Sequence, residues 1–269
     1  MLQLPISRRW VIFLLAGLLF LLSQFYRASM AVVYPALTAE IPLGPHSLGQ
    51  ISAAFFYAFA LMQLPIGVYL DRRGPRLTMT VLTLVAVAGA LIFARGQSLP
   101  ELLVGRVLLG IGMACNLMGT LKLITLWFGP GRFATLSALV ITVGTAGNLA
   151  AATPLVFLVE ALGWRGSFQL LAALTLVLAL VFYAVVRDGP GSGGAPTGTA
   201  PAEPRRDVSA REAVRALFAE RDYWIISLGT FCRYGIYAAV QALWAGPFLM
   251  QVLGVSALDT GHLLFLMSI

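Results

Sequence analysis

Long apolar runs, each closed by a short polar or Gly/Pro-containing stretch, recur at about residues 10–37, 47–70, 76–95, 99–128, 133–160, 165–186 and 223–252, and another begins near residue 258. A helix needs about 20 apolar residues to cross the roughly 30 Å of bilayer hydrocarbon, and all seven complete runs meet that length. The pattern predicts seven spanning helices and the start of an eighth. That last run reaches Ile269 after about a dozen residues, and a half-crossing helix would leave its final carbonyls unsatisfied in lipid. The sequence therefore reads as a fragment of a longer protein. The first run follows Arg8 and Arg9 as a signal peptide would, but it is about 28 residues long and has no small-x-small cleavage site, so it is read as a retained first helix.

Between the sixth and seventh runs the composition changes: residues 188–204 are rich in Gly, Pro and Ala, which predicts a flexible linker rather than a packed element. Ser209 and Glu212 then stand at capping-box spacing, with Val214, Leu217 and Phe218 on one helical face, predicting a short amphipathic helix on the membrane surface or against the bundle. The expected organisation is all-α and polytopic. Residues 1–187 form a six-helix bundle, 188–221 a cytoplasmic linker with the short helix, and 222–269 helix 7 and part of helix 8 of a second bundle. Two sets of six is a transporter arrangement.

Composition narrows the function classes. The chain is 59% hydrophobic and 11% charged, against about 45–50% and about 25% in soluble domains, which excludes a water-soluble enzyme. The net charge of +7 comes almost entirely from arginine, Lys122 being the only lysine. With the N-terminus in the cytoplasm, twelve arginines flank the spans on the inside and only Arg95 and Arg165 lie outside. That asymmetry predicts the orientation, places the chain in the cytoplasmic (inner) membrane, and explains the basic surplus without a nucleic-acid partner. Cys115 and Cys232 lack CxxC spacing, and His46 and His262 lie far apart. No metal site, cofactor or catalytic constellation is expected.

Four cations remain inside the spans: Arg27, Arg106, Lys122 and Arg233. Each costs at least about 2.5–3.5 kcal/mol at a span centre, so each should face a partner or a cavity. Arg27 is about ten residues from the outer end of its run, hence about 15 Å deep at 1.5 Å per residue, with Gln24 and Tyr34 on its face at i−3 and i+7. It is either a solute contact or a cation paired structurally with backbone carbonyls. Lys122 and Arg233 lie closer to the cytoplasmic ends, where long side chains partly snorkel, and Gln241 is the helix 7 residue level with Arg27. All eleven acids fall at span ends or in connecting segments, so the central cavity is expected to be positive and to favour an anion. In that reading Arg27 binds the solute, Lys122 and Arg233 draw it toward the cytoplasm, and Asn148, Tyr34 and Gln241 contribute neutral hydrogen bonds.

The turn after the second run reads Gly67-Val-Tyr-Leu-Asp71-Arg72-Arg73-Gly74-Pro75-Arg76. It resembles the signature loop of the major facilitator superfamily, in which it acts as a cytoplasmic gate latch. Gly67 would permit close helix approach, Gly74 would make the tight turn, and Asp71 would meet positive partners. Arg106-Val-Leu-Leu-Gly110 resembles the family's helix 4 motif, and Trp127, Arg132 and Gly163-Trp164-Arg165 extend the likeness. The resemblance implies a twelve-helix transporter fold working by alternating access, monomeric at full length, with a small solute and the lipid bilayer as its partners. Phe25-Tyr26-Arg27-Ala28-Ser29 looks like the first-helix motif of organic-anion branches, with Tyr26 where those often have Asp. Gly144-Thr-Ala-Gly147-Asn148 departs from the Gly-Pro-x-x-Gly-Gly stretch of drug–proton antiporters. Efflux of amphiphilic compounds and a non-transporting sensor or scaffold remain as alternatives.

Overall fold

The computed structural model describes residues 6–189, 215–216, 218–240 and 244–266, and every regular element among them is a helix. In chain order the main helices are α1 (Ile6–Ala28), α2 (Met30–Glu40), α3 (Pro45–Arg95), α4 (Leu99–Met113), α5 (Asn116–Phe128), α6 (Phe133–Ala150), α7 (Thr153–Val185), α8 (Arg221–Ala239) and α9 (Ala257–Leu266). Five continuous helical stretches, those of α1, α3, α4–α5, α6 and α7, are long and apolar enough to cross a membrane. The expected Ser209–Glu212 cap, with Val214 and Leu217, lies outside the described residues, as does Gln241.

Helix and span do not coincide. α3 is 51 residues long, about 75 Å at 1.5 Å per residue, or more than two crossings. It is divided at Gly74, whose φ of 77° lies in the left-handed region that glycine adopts without penalty. α7 is divided in the same way at Gly163, with φ 70°. One glycine thus turns span 2 into span 3, and another turns span 5 into span 6.

Three runs that read as uninterrupted are broken inside the membrane. Span 1 consists of α1 and α2 with the break at Ser29, and span 4 consists of α4 and α5 with the break at Ala114–Cys115. Span 5 is α6 followed by the first part of α7, and its break lies at Ala152, where ψ is −113°. Pro154, next in line, has no N–H to continue the ladder. Carbonyls released in lipid need other donors. Ser23 Oγ donates to Met113 O at 3.0 Å and Gln63 Nε2 to Ala114 O at 3.3 Å, so spans 1 and 2 satisfy the break in span 4.

The six spans pack around fully buried aromatics, among them Tyr26, Phe55, Phe93, Trp164 and Phe168. Approach between spans 2 and 4 is closest at Gly110, where a Cβ would collide with the carbonyl of Phe55, as expected where small residues let backbones touch. Gly67 differs from its expected role: a Cβ there would meet nothing within 4 Å. The face of span 2 that carries it is turned away from the bundle, with Leu64 81% and Val68 49% exposed.

Beyond the sixth span, α8 is exposed along nearly its whole length. The segments after it close back on the bundle at the end opposite the gate loop. There Ala31, Val32 and Pro35 of α2, Val156 of α7, Met250 and Thr260 line a crevice of about 170 Å³, and a Cβ on Gly261 would lie 3.0 Å from Thr153 Oγ1. The segments that follow α8 meet the first set of helices at this end.

Candidate functional site

The last turn of α1 carries the site. The carbonyl of Phe25 still accepts the Ser29 N–H at 2.9 Å, while that of Tyr26 accepts Ser29 Oγ at 3.0 Å and Arg106 NH1 at 3.1 Å. Tyr26 points into the bundle, its hydroxyl 3.0 Å from Thr175 Oγ1 of span 6. One residue on, and about 100° around the helix, Arg27 points the other way, toward α8. Its NH1 donates to Tyr234 Oη at 2.8 Å, and its guanidinium lies 4.6 Å from the centroid of Phe59. Arg27 Nε is buried without a partner, and so is Gln24 Oε1 three residues before it. A carboxylate is absent from every described contact of Arg27.

A buried donor and a buried acceptor left open three residues apart on one helix are costly, each by about 1–3 kcal/mol. They become useful if a ligand completes them. The open Nε and the cationic head suit an anion, while the open Gln24 oxygen suits a hydroxyl or amide donor. Phe59 under the guanidinium adds a cation–π contact and holds its plane.

The structure gathers some of the predicted residues here and removes others. In span 5, Gly147 presses its backbone onto the carbonyl of Leu21, which brings Asn148 level with the turn before Gln24. Asn148 is half-buried and makes no side-chain hydrogen bond among the described residues. Tyr34 lies past the break, packed against the core on the side opposite the gate loop. Arg233 is exposed on α8 with no ion pair among the described residues.

Lys122 has a different post from the one its sequence position suggests. Its ammonium donates to the carbonyl of Leu70 at 2.6 Å and to Asp71 Oδ1 at 2.7 Å, so span 4 reaches into the gate loop and supplies Asp71 with its positive partner. The expectation of four uncompensated cations in the spans is thus corrected to three. Arg106 is fully buried and paired only with carbonyls, those of Tyr26 and Ile51, and with the Phe55 ring at 4.9 Å.

The rest of the gate loop is tied to span 6. Asp188 Oδ1 accepts the backbone N–H of Arg76 at 2.7 Å, acting as an anionic cap for the start of span 3. Arg76 Nε donates to Tyr183 O at 2.9 Å and its guanidinium lies 4.2 Å from the Tyr183 ring. Trp127 Nε1 donates to Arg187 O at 2.9 Å. Arg72 points outward and is exposed. Asp188, Tyr183 and Tyr234 are the contact residues of Arg76 and Arg27 that the sequence did not single out. Asp188 looked like the first residue of a linker, and nothing local distinguishes it.

The sequence profile described as Major Facilitator Superfamily matches residues 9–269. The chain belongs to that superfamily. It is an integral, multi-pass membrane protein. It is 24% identical over 269 residues to "Uncharacterized transporter YybO" of Bacillus subtilis, covering 96% of this chain and 61% of that protein. It is 25% identical to "Probable sulfoacetate transporter SauU" of Cupriavidus necator over 93% of this chain and 59% of that protein. With "Probable L-galactonate transporter" of Escherichia coli it shares 24% identity, covering 87% and 53%. Among solved structures, a bacterial homologue of the human lysosomal transporter Spinster in an inward-facing, unoccupied conformation superposes with a TM-score of 0.72 at 23% identity, covering 96% of this chain and 58% of that one. The chain therefore spans about three fifths of the length of these relatives.

Proposed function

We propose that this chain is the N-terminal half and the beginning of the C-terminal half of a secondary transporter for a small organic anion, and that it is not an enzyme. The observation that carries this reading is Arg27: a mid-span guanidinium with an unpartnered Nε, no carboxylate beside it, and the unpartnered Gln24 oxygen on the same face. An anion that also carries a hydroxyl or amide donor would satisfy both groups. Relatives named for sulfoacetate and galactonate support the anionic class. Asn148 adds a neutral donor and acceptor from span 5. Tyr234 holds Arg27 in the absence of solute and would hand it over when one arrives.

Alternating access is supported by the shape of the interface. The segments after α8 close on α2 and α7 at the end opposite the gate loop, while α8 itself is largely exposed and touches the bundle through Tyr234 on Arg27, which fits a state closed at the end opposite the gate loop. The surplus of arginines at the gate-loop end supports its placement in the cytoplasm and the chain's placement in the inner membrane. Residues 1–187 would then be one rocking unit, 188–221 the connecting strap, and 222–269 the start of the other unit.

The test is a thermal-shift screen of the purified chain in neutral detergent against hydroxy-carboxylates, sulfonates and neutral sugars of matched size. Stabilisation by one or more of the anions and none by the neutral sugars is expected. Stabilisation by neutral sugars alone would overturn the anionic reading.

A further inference from the structure

Away from Arg27, at the end of the molecule opposite the gate loop, spans 1, 3 and 6 enclose an open concavity of about 570 Å³ whose polar lining is Glu40, Arg95, Gln97, Arg165 and Gln169. Spans 3 and 6 are in direct contact here, with the Phe93 ring tilted against Phe168 at 4.7 Å and edge-on to Trp164 at 5.7 Å. Arg165 is fixed in place. Its Nε pairs with Glu40 at 2.9 Å, its NH1 donates to the carbonyls of Ala94 at 3.0 Å and Gly96 at 2.8 Å, and its guanidinium lies 4.3 Å from the Trp164 ring. Glu40 therefore answers the charge of Arg165. Arg95 is exposed and makes no side-chain hydrogen bond or ion pair among the described residues, so the concavity keeps a free positive charge beside two amides.

Below this polar lip the two spans present apolar stripes. On span 3, Ile92 is 37% and Leu84 38% exposed; on span 6, Leu176 is 37% and Leu180 55% exposed. They follow Arg95 and Gln169 at helical spacing and face outward. A cation and amides at the end of two adjacent helices, above a continuous apolar surface, match the two ends of a phospholipid. The geometry points to a binding site for the headgroup of an anionic phospholipid in the leaflet opposite the gate loop. Arg95 holds the phosphodiester, Gln97 and Gln169 hydrogen-bond the headgroup hydroxyls or phosphate oxygens, and the acyl chains run down the stripes of spans 3 and 6. The pocket opens beside the lipid-facing sides of these spans and not toward Arg27. That placement favours a ligand arriving from the bilayer over a solute on its way through.

The melting temperature of the purified chain in neutral detergent, with added phosphatidylglycerol, phosphatidylcholine or inorganic phosphate, tests this. Phosphatidylglycerol should raise it by several degrees over phosphatidylcholine, Arg95→Ala should lose most of that rise, and Arg132→Ala, an exposed arginine at the opposite end, should keep it. Arg95→Gln, which retains length without charge, serves if the alanine variant does not fold. The site is overturned if phosphatidylglycerol gives no rise, if wild type and the Arg95 variant rise equally, or if Arg132→Ala loses as much. An equal rise with inorganic phosphate would show that the concavity takes a free anion and not a lipid.

Discussion

Arg106 and Arg27 share the problem of placing a guanidinium in a membrane, and the chain solves it twice. Arg106 gives Nε and NH1 to the carbonyls of Ile51 and Tyr26 and rests on Phe55, with NH2 buried and unpartnered; fully enclosed between spans 1, 2 and 4, it serves their packing. Arg27 keeps Nε open and lends NH1 to a tyrosine. The sequence marks both as costly intramembrane cations, and depth along the run separates neither role from the other. Which carbonyls are free depends on the break at Ser29, which a hydropathy run over residues 10–37 does not register. Replacing Arg106 by Ala empties a large buried volume and removes the added donor that the Tyr26 and Ile51 carbonyls receive from span 4. The expected loss is at least about 2–3 kcal/mol, read as a clear fall in melting temperature, whereas Arg106→Met, which refills the space, should recover part of it. Equal stability of Arg106→Ala and wild type would contradict the structural role.

At the scale of elements, the helix boundaries split into legible and illegible. Gly74 was legible as a turn residue because it sits in a polar interruption, and Gly163 only as part of a family-like Gly-Trp-Arg stretch; both have positive φ in the structure. The mid-span breaks were not visible, although Pro154 sits two residues after the one in span 5. The Lys122–Asp71 pair was hidden for a different reason. Its partners are 51 residues apart, and only the packing of span 4 on span 2 brings them together. With side chains 27% and 77% exposed, the pair should be worth less than about 1 kcal/mol of stability. Its expected effect is on the gate. In a double-mutant cycle of Lys122→Ala and Asp71→Asn, melting temperatures should shift little, while labelling of a cysteine introduced at Arg72 should speed up by the same factor in each single variant and no further in the double. Additive effects in the double variant would show that the two residues act separately.

For the whole molecule, the asymmetry of arginines and the placement of the latch make one topological prediction. Cysteines introduced at Ser192 and Ser47 should label oppositely in intact cells, Ser47 from outside and Ser192 only after permeabilisation, and the reverse pattern would invert every depth argument made for Arg27. The family and the six-helix architecture followed from run lengths and from the Gly67–Arg76 loop, because both are written in local sequence. The ligand position proposed for Arg27, Gln24 and Asn148 was legible only in part, since it depends on which faces of spans 1 and 5 meet. Direct binding of the best anion from the screen, measured by equilibrium titration on wild type, Arg27→Lys and Arg27→Ala, addresses that position most directly. Wild type should bind, Arg27→Lys should bind about tenfold more weakly because a point charge replaces a planar fork, and Arg27→Ala should not bind detectably while remaining folded. Equal affinity in wild type and a folded Arg27→Ala would show that the anion does not sit at the break in the first span.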